Sequence, residues 1–176
     1  MSPILQGRPI RAALMLLALC ACALAFTSTA SAKHKQSERV VVRGDATVGD
    51  ACGPAGCELQ TAGSFRGTLG VGGYSATVQL QLPDAFPNGE DGLCAPMRGQ
   101  LVLGAGSPDR LTLALAGDSC QDGDGPPPAS SFTGLADWEV VKGTGKYSGA
   151  RGHGTAVFLE DAADQERMTL IGLIAR

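Results

Sequence analysis

The segment whose residue types could most readily take part in chemistry is glycine-rich: residues 142–155 read KGTGKYSGARGHGT. Glycine-rich loops with a lysine often bind nucleotide phosphates. A P-loop needs a glycine where this chain has Val140 and a hydroxyl side chain where it has Tyr147. A dinucleotide fingerprint must open a helix, whereas this segment leads into the strand-like sequence GTAVFLE. The remaining parts of a kinase pattern are missing. The segment therefore does not predict nucleotide binding.

His153 and two nearby carboxylates are the next candidates for chemistry. A catalytic histidine needs a nucleophile, and no G-x-S-x-G elbow is present, so we expect His153 on the surface or in a loop. Asp137 and Glu139 share one face of a predicted strand, and Trp138 lies on the other face. If Trp138 points inward, the two carboxylates face solvent and do not form an acid–base pair.

Metal ligation is the remaining use of these residue types. Asp118, Asp122 and Asp124 border a glycine-rich loop, but the later ligands of a calcium loop are missing, so we expect a solvated acidic turn. Zinc would require the cysteines together with His34 or His153, and an oxidising compartment disfavours free thiolates. We therefore expect no metal and no cofactor.

The first 32 residues have the anatomy of a signal peptide. Two arginines precede an apolar run over residues 12–26, and small residues follow it up to Ala32. The run is shorter than the roughly 20 residues of a membrane-spanning helix. We expect cleavage near Ala32 and a secreted protein, either extracellular or in the cell envelope. A lipid anchor on Cys20 or Cys22 is the alternative, although the preceding residues fit such a site loosely.

Four cysteines remain after the leader, and an even number in an exported chain predicts two disulfides. Three pairings are possible. Cys94 and Cys120 are equally far from Ser107, which lies in the turn GAGSPDR between two apolar runs. Opposed residues of a hairpin have a constant sum of residue numbers, so this pair is favoured. Cys52 and Cys57 would then close the short loop CGPAGC.

Charge and length limit the partners. Removing the leader takes two of the 14 basic residues and none of the 17 acidic ones, which leaves a net charge of −5. Without a basic cluster, nucleic acid and anionic lipid surfaces are poor partners. No second apolar run is long enough to span a membrane. We expect a flexible segment over residues 33–38 and a single domain over residues 39–176.

The domain has the pattern of an all-β protein. Residues 74–82 alternate strictly, with Tyr74, Ala76 and Leu82 on the apolar face. Glycine, proline and aspartate separate the runs, and the loop over residues 122–129 is especially rich in them. About eight short strands predict an antiparallel barrel, with a β-sandwich as the alternative. The other runs cover residues 39–47, 58–69, 97–104, 110–117, 131–142, 151–160 and 166–175.

The glycine-rich segment resembles one barrel family. The order G-T-G-x-Y-x-x-A-x-G between two predicted strands is similar to the late motif of allene oxide cyclase and dirigent-like barrel proteins. The resemblance implies an eight-stranded antiparallel barrel with an apolar interior, often oligomeric. Family members cyclise a fatty-acid epoxide or direct radical coupling of phenols in a shaped pocket, but their pocket residues do not align with positions here. The matching positions are Gly143, Thr144, Gly145, Tyr147, Ala150 and Gly152.

Three functions follow as hypotheses. The first is a secreted barrel that binds an apolar small molecule or serves as a stable module, either alone or as a homo-oligomer. The second is a cyclase- or dirigent-type enzyme, so whether the chain is an enzyme stays open. The third is a partner-binding protein that acts through its loops. An interior packed solid would exclude both pocket hypotheses. The candidate ligand-binding residues are Tyr74, Trp138, Tyr147 and Arg151.

Overall fold

The computed structural model describes residues 37–53, 56–88, 92–122, 131–161 and 163–176, and most of them lie in strands. Within these ranges there are nine strands and two single-turn 3-10 helices, at Leu82–Asp84 and Gly145–Tyr147. The strands are β1 (Ser37–Gly53), β2 (Gly56–Gly67), β3 (Gly70–Leu80), β4 (Phe86–Asn88), β5 (Gly92–Leu103), β6 (Leu111–Asp122), β7 (Ser131–Gly143), β8 (Arg151–Glu160) and β9 (Gln165–Ala175).

Eight of the strands form a closed antiparallel barrel. Their order is β3-β2-β1-β9-β8-β7-β6-β5, and β5 also pairs with β3, which closes the ring. The short strand β4 is additional and pairs with the first residues of β5. The predicted eight-stranded antiparallel barrel is confirmed, and the sandwich alternative is wrong because the sheet closes on itself. In the described ranges, no helix is long and apolar enough to cross a membrane.

Alternation along the strands produces the core. In β3 the side chains of Tyr74, Ala76, Val78 and Leu80 are buried, as the sequence pattern predicts. Leu82 departs from that pattern and is 37% exposed, because the strand ends at Leu80 and a 3-10 turn containing a proline follows. The largest fully buried side chains are Trp138, Tyr74, Leu101, Leu103, Leu111, Leu113, Met168, Leu170, Ile174, Val40 and Val42.

Several strand boundaries differ from the sequence expectation, and β1 and β4 are two of the strands concerned. β1 begins at Ser37, two residues before the expected start, and continues to Gly53, because it forms a long hairpin with β2 that reaches Cys52. β4 is not among the expected strands, and its residues Phe86 to Asn88 pair back onto the start of β5. Both differences extend strand pairing and leave the barrel unchanged.

One end of the barrel, which we call the closed end, carries the β2–β3, β5–β6 and β7–β8 turns. The Tyr147 hydroxyl is buried here and donates a hydrogen bond of 2.9 Å to the Leu69 carbonyl in the β2–β3 turn. The Thr144 hydroxyl donates to the Pro108 carbonyl at 2.7 Å, which links the other two turns. Gly145 has φ +57°, a conformation that favours glycine. The glycine-rich segment is therefore a structural turn at this end.

Both predicted disulfides form. Cys94 and Cys120 are direct partners in the β5–β6 register, and Cys52 and Cys57 are direct partners in the β1–β2 register. The β1–β2, β3–β5, β6–β7 and β8–β9 connections lie at the opposite end of the barrel, which we call the open end. Both disulfides are near that end.

Candidate functional site

The barrel interior is packed toward the closed end and hollow at the open end. Among the described residues, the open end has a cavity of about 490 Å³ that is partly open to solvent, which we call the outer cavity. Apolar side chains form one part of its wall and carboxylates the other. Its lining comprises Val48, Gly49, Asp50, Cys52, Cys57, Leu59, Leu80, Leu82, Gln121, Phe132, Glu160, Asp161 and Asp164.

A second, smaller space continues from the outer cavity into the barrel. This inner pocket has a volume of about 30 Å³, close to the share of liquid volume of one water molecule. Leu59, Phe132 and Glu160 line both spaces, so the two are contiguous. The other residues of the inner pocket are Thr61, Ala76, Val78, Met97, Ser119, Gly134, Phe158 and Glu166.

Two carboxyl groups face each other across the β8–β9 hairpin and border the inner pocket. Glu160 and Glu166 are direct partners in the hairpin register. Burial raises the pKa of Glu160 from its ordinary value of 4.5 to about 7, and the negative charge of Glu166 adds to the rise. Burial also raises the pKa of Glu166. Like charges at this separation disfavour full ionisation, so the pair retains a proton at a higher pH than isolated carboxyls do.

Tyr74 supports the deeper carboxyl group. Its buried hydroxyl donates a hydrogen bond of 2.9 Å to Glu166 Oε1. This bond opposes the rise in the pKa of Glu166, while burial and the Glu166 charge raise the pKa of the Tyr74 phenol. Gly44 leaves room for the ring, because a Cβ atom there would lie 2.8 Å from Tyr74 Cε1. The Tyr74 hydroxyl therefore positions the Glu166 carboxyl. The phenol of Tyr74 stays protonated at neutral pH.

Two hydroxyl groups complete the inner pocket. Thr61 on β2 is 6% exposed and Ser119 on β6 is 9% exposed, and both line the pocket. Neither side chain hydrogen-bonds to another of the described residues. A buried hydroxyl without a partner costs free energy of about 1–3 kcal/mol, so such groups normally have one. The pocket therefore presents two unused hydroxyls beside its two carboxyls.

The four residues predicted for ligand binding do not come together. Tyr74 and Trp138 are buried in the core, Tyr147 is buried at the closed end, and Arg151 is exposed. Trp138 lies over Gly154 and donates its indole N–H to the Thr155 carbonyl at 3.1 Å. None of the four lines either space at the open end, and only Tyr74 acts there, through Glu166.

Asp137, Glu139 and His153 lie on the outer face of the barrel. All three are exposed, which confirms the prediction that the two carboxylates face solvent when Trp138 points inward. The three line a shallow outer groove together with neighbouring strand residues. Asp118 is exposed as well, whereas the side chain of Asp122 and all of Asp124 lie outside the described residues.

Metal ligands do not cluster in the part of the chain that the structure describes: no group of three or more His, Cys, Asp or Glu side chains is close enough to hold an ion. A hollow of about 620 Å³ is an open groove on the outer face of β3 and β5, outside the barrel. The two spaces at the open end are therefore the candidate site.

The pair of Glu160 and Glu166 was not predicted, although the sequence contains a signal for it. The hairpin rule that pairs Cys94 with Cys120 also pairs Glu160 with Glu166 across the turn that begins at Asp161. Glu166 also shares a strand face with apolar Met168 and Leu170. A carboxyl at an inward position indicates a buried polar site.

The chain matches no protein-family model, and neither a curated protein nor a solved structure is significantly similar to it.

Proposed function

We propose that this barrel binds a small molecule with an apolar body in the outer cavity. The observation that carries the proposal is a space of about 490 Å³ at the mouth of the barrel, beside a small pocket that two carboxyls and two hydroxyls line together with apolar side chains. Ligand sites typically have volumes of 300–1,000 Å³ and mostly apolar walls with a few polar groups that fix orientation. The mouth of a β-barrel is a common place for such a site.

The distribution of core side chains supports this location. The closed end is filled by leucine, valine and aromatic side chains, and Tyr147 covers it. Within the barrel, as far as the described residues show, a ligand of useful size therefore has room at the open end. There Leu59, Leu80 and Phe132 offer apolar surface, because the alternation of β2, β3 and β7 directs them inward.

Octanol is a suitable neutral probe, and isothermal titration calorimetry measures its binding. A ligand of this size is expected to bind with a Kd of about 0.1–1 mM. Leu59→Trp places a large side chain where the two spaces join and should weaken binding at least about tenfold. Leu159→Trp is the matched control, because Leu159 is exposed on the outer face. Absence of saturable binding, or an equal loss from both variants, would contradict the proposal.

A cyclase-type enzyme is the second candidate. The specific observation in its favour is the Glu160 carboxyl, whose pKa of about 7 suits a general acid–base group at the border of a cavity. The resemblance of the glycine-rich segment to allene oxide cyclase and dirigent-like barrels supports the same candidate. Turnover of a bound epoxide or phenoxyl precursor that is lost in Glu160→Gln, with binding of octanol retained, would favour catalysis over binding alone.

A further inference from the structure

We infer that the ligand of this barrel is an apolar primary amine, with its ammonium group in the inner pocket and its apolar body in the outer cavity. The inference rests on the proposed function and adds the chemical class of the ligand. It is carried by two buried hydroxyls that have no hydrogen-bond partner among the described residues, two carboxyls that face each other, and a small pocket that all four line.

The hydrogen-bonding groups of the inner pocket complement an ammonium group. Such a group has three donors and no acceptor. Glu160 and Glu166 offer carboxylate oxygens, and the hydroxyls of Thr61 and Ser119 offer acceptors that no other described residue uses. The Tyr74 hydroxyl is already committed as a donor to Glu166. A bound ammonium group would thus find acceptors from three sides of the pocket.

Charge favours a cation over a neutral or anionic head group. Besides the two glutamates, the outer cavity carries Asp50, Asp161 and Asp164, and no lysine, arginine or histidine is among the described residues that line either space. A cation between Glu160 and Glu166 would remove their mutual repulsion and replace the retained proton. Carboxylate ligands would meet only like charges.

The volume of the inner pocket favours a small cationic head group. The inner pocket has a volume of about 30 Å³, which is room for a compact group such as a primary ammonium. The apolar part of the outer cavity, with Leu59, Leu80 and Phe132, then favours an alkyl or aryl body.

The test compares three probes of matched length: octylamine, octanol and octanoate. Binding to the oxidised full domain is measured by isothermal titration calorimetry at about pH 8 and about pH 5, where an alkylamine stays protonated. At about pH 8 we expect octylamine to bind about 10–100-fold more tightly than octanol, and octanoate to bind most weakly. At about pH 5 the preference for octylamine should fall at least about tenfold, because Glu160, whose pKa is about 7, takes up a proton.

Two variants assign the preference to the inner pocket. Glu166→Gln and Glu160→Gln should each reduce the preference for octylamine at about pH 8 while octanol still binds. Glu139→Gln, on the outer face, is the control and should leave the preference unchanged. Continued binding of octanol also shows that each variant is folded.

The outcomes separate this inference from the proposed function. If neither octanol nor octylamine binds, the proposed function is wrong and the inference fails with it. If both bind equally well at about pH 8, the inference alone is overturned. A preference for octylamine that survives in both glutamine variants would overturn it as well, since the aspartates at the rim would then account for the effect.

Discussion

Replacing Glu160 by glutamine should stabilise the folded protein at neutral and alkaline pH. Glutamine has nearly the shape of a protonated glutamate and carries no charge. In the native protein Glu160 faces Glu166 across the β8–β9 hairpin, and the negative charges of Asp164, Asp50 and Asp161 also act on it. Ionisation of Glu160 therefore takes place in a buried and negatively charged environment.

The sign and size of the effect follow from proton linkage. The pKa of Glu160 is about 7 in the folded state against an ordinary value of 4.5, so between these pH values the folded state binds more protons than the unfolded state. Stability therefore falls as pH rises through this interval, and the loss is complete above about pH 7. At 1.36 kcal/mol per pH unit the ceiling is about 3.4 kcal/mol. Because Glu160 remains partly exposed, solvent screening reduces this to about 1–2 kcal/mol.

Thermal and urea unfolding of the oxidised domain at several pH values measure this effect. At about pH 8 Glu160→Gln should raise Tm by about 3–8 °C relative to the native chain, and at about pH 4 the two should agree within about 0.5 kcal/mol. Glu139→Gln makes the same chemical change on the outer face and should leave the pH dependence unaltered. A variant that loses stability at about pH 8, or follows the native pH profile, would refute the reasoning.

Three further outcomes are expected. Tyr74→Phe removes the hydrogen bond to Glu166 and should cost about 1–3 kcal/mol in urea unfolding, most at alkaline pH, where the buried carboxyl is ionised. Gly154→Ala should cost at least about 1–3 kcal/mol, because its Cβ would lie 2.6 Å from the buried indole, whereas Gly53→Ala, with nothing within 4 Å, should be neutral within about 0.5 kcal/mol. Mass spectrometry of the exported protein should find its first residue directly after Ala32.

Much of the fold was predictable because strands follow a simple rule. Inward and outward positions alternate, so the buried face of β3 could be assigned from residues 74–80 alone. The β5–β6 hairpin has a turn rich in glycine and proline, which fixed its register and thus the pairing of Cys94 with Cys120. In β3 and in the β5–β6 hairpin, the alternation of side chains and the residues of the turn predict the same arrangement, and the structure has it.

The candidate site was harder to predict because it depends on contacts between distant strands. Tyr74 reaches Glu166 across the interior, and the approach is possible only because Gly44 has no side chain. No periodicity along one strand reports such a contact. The glycine-rich segment, which has the most distinctive sequence, lies at the other end of the barrel, where Tyr147 covers the interior.

The placement of the disulfides fits a barrel with a hollow end. Apolar burial stabilises a barrel in proportion to the surface removed from water, and the outer cavity lowers that contribution at the open end. The repulsion between the negative charges of Glu160 and Glu166 lowers stability there further. Both disulfides lie near this end, and each constrains the unfolded chain, whereas the closed end is held by packing and by the Tyr147 hydrogen bond. Covalent links thus offset the stability that a cavity with buried charge removes, so reduction of the disulfides should lower the free energy of unfolding of the whole barrel.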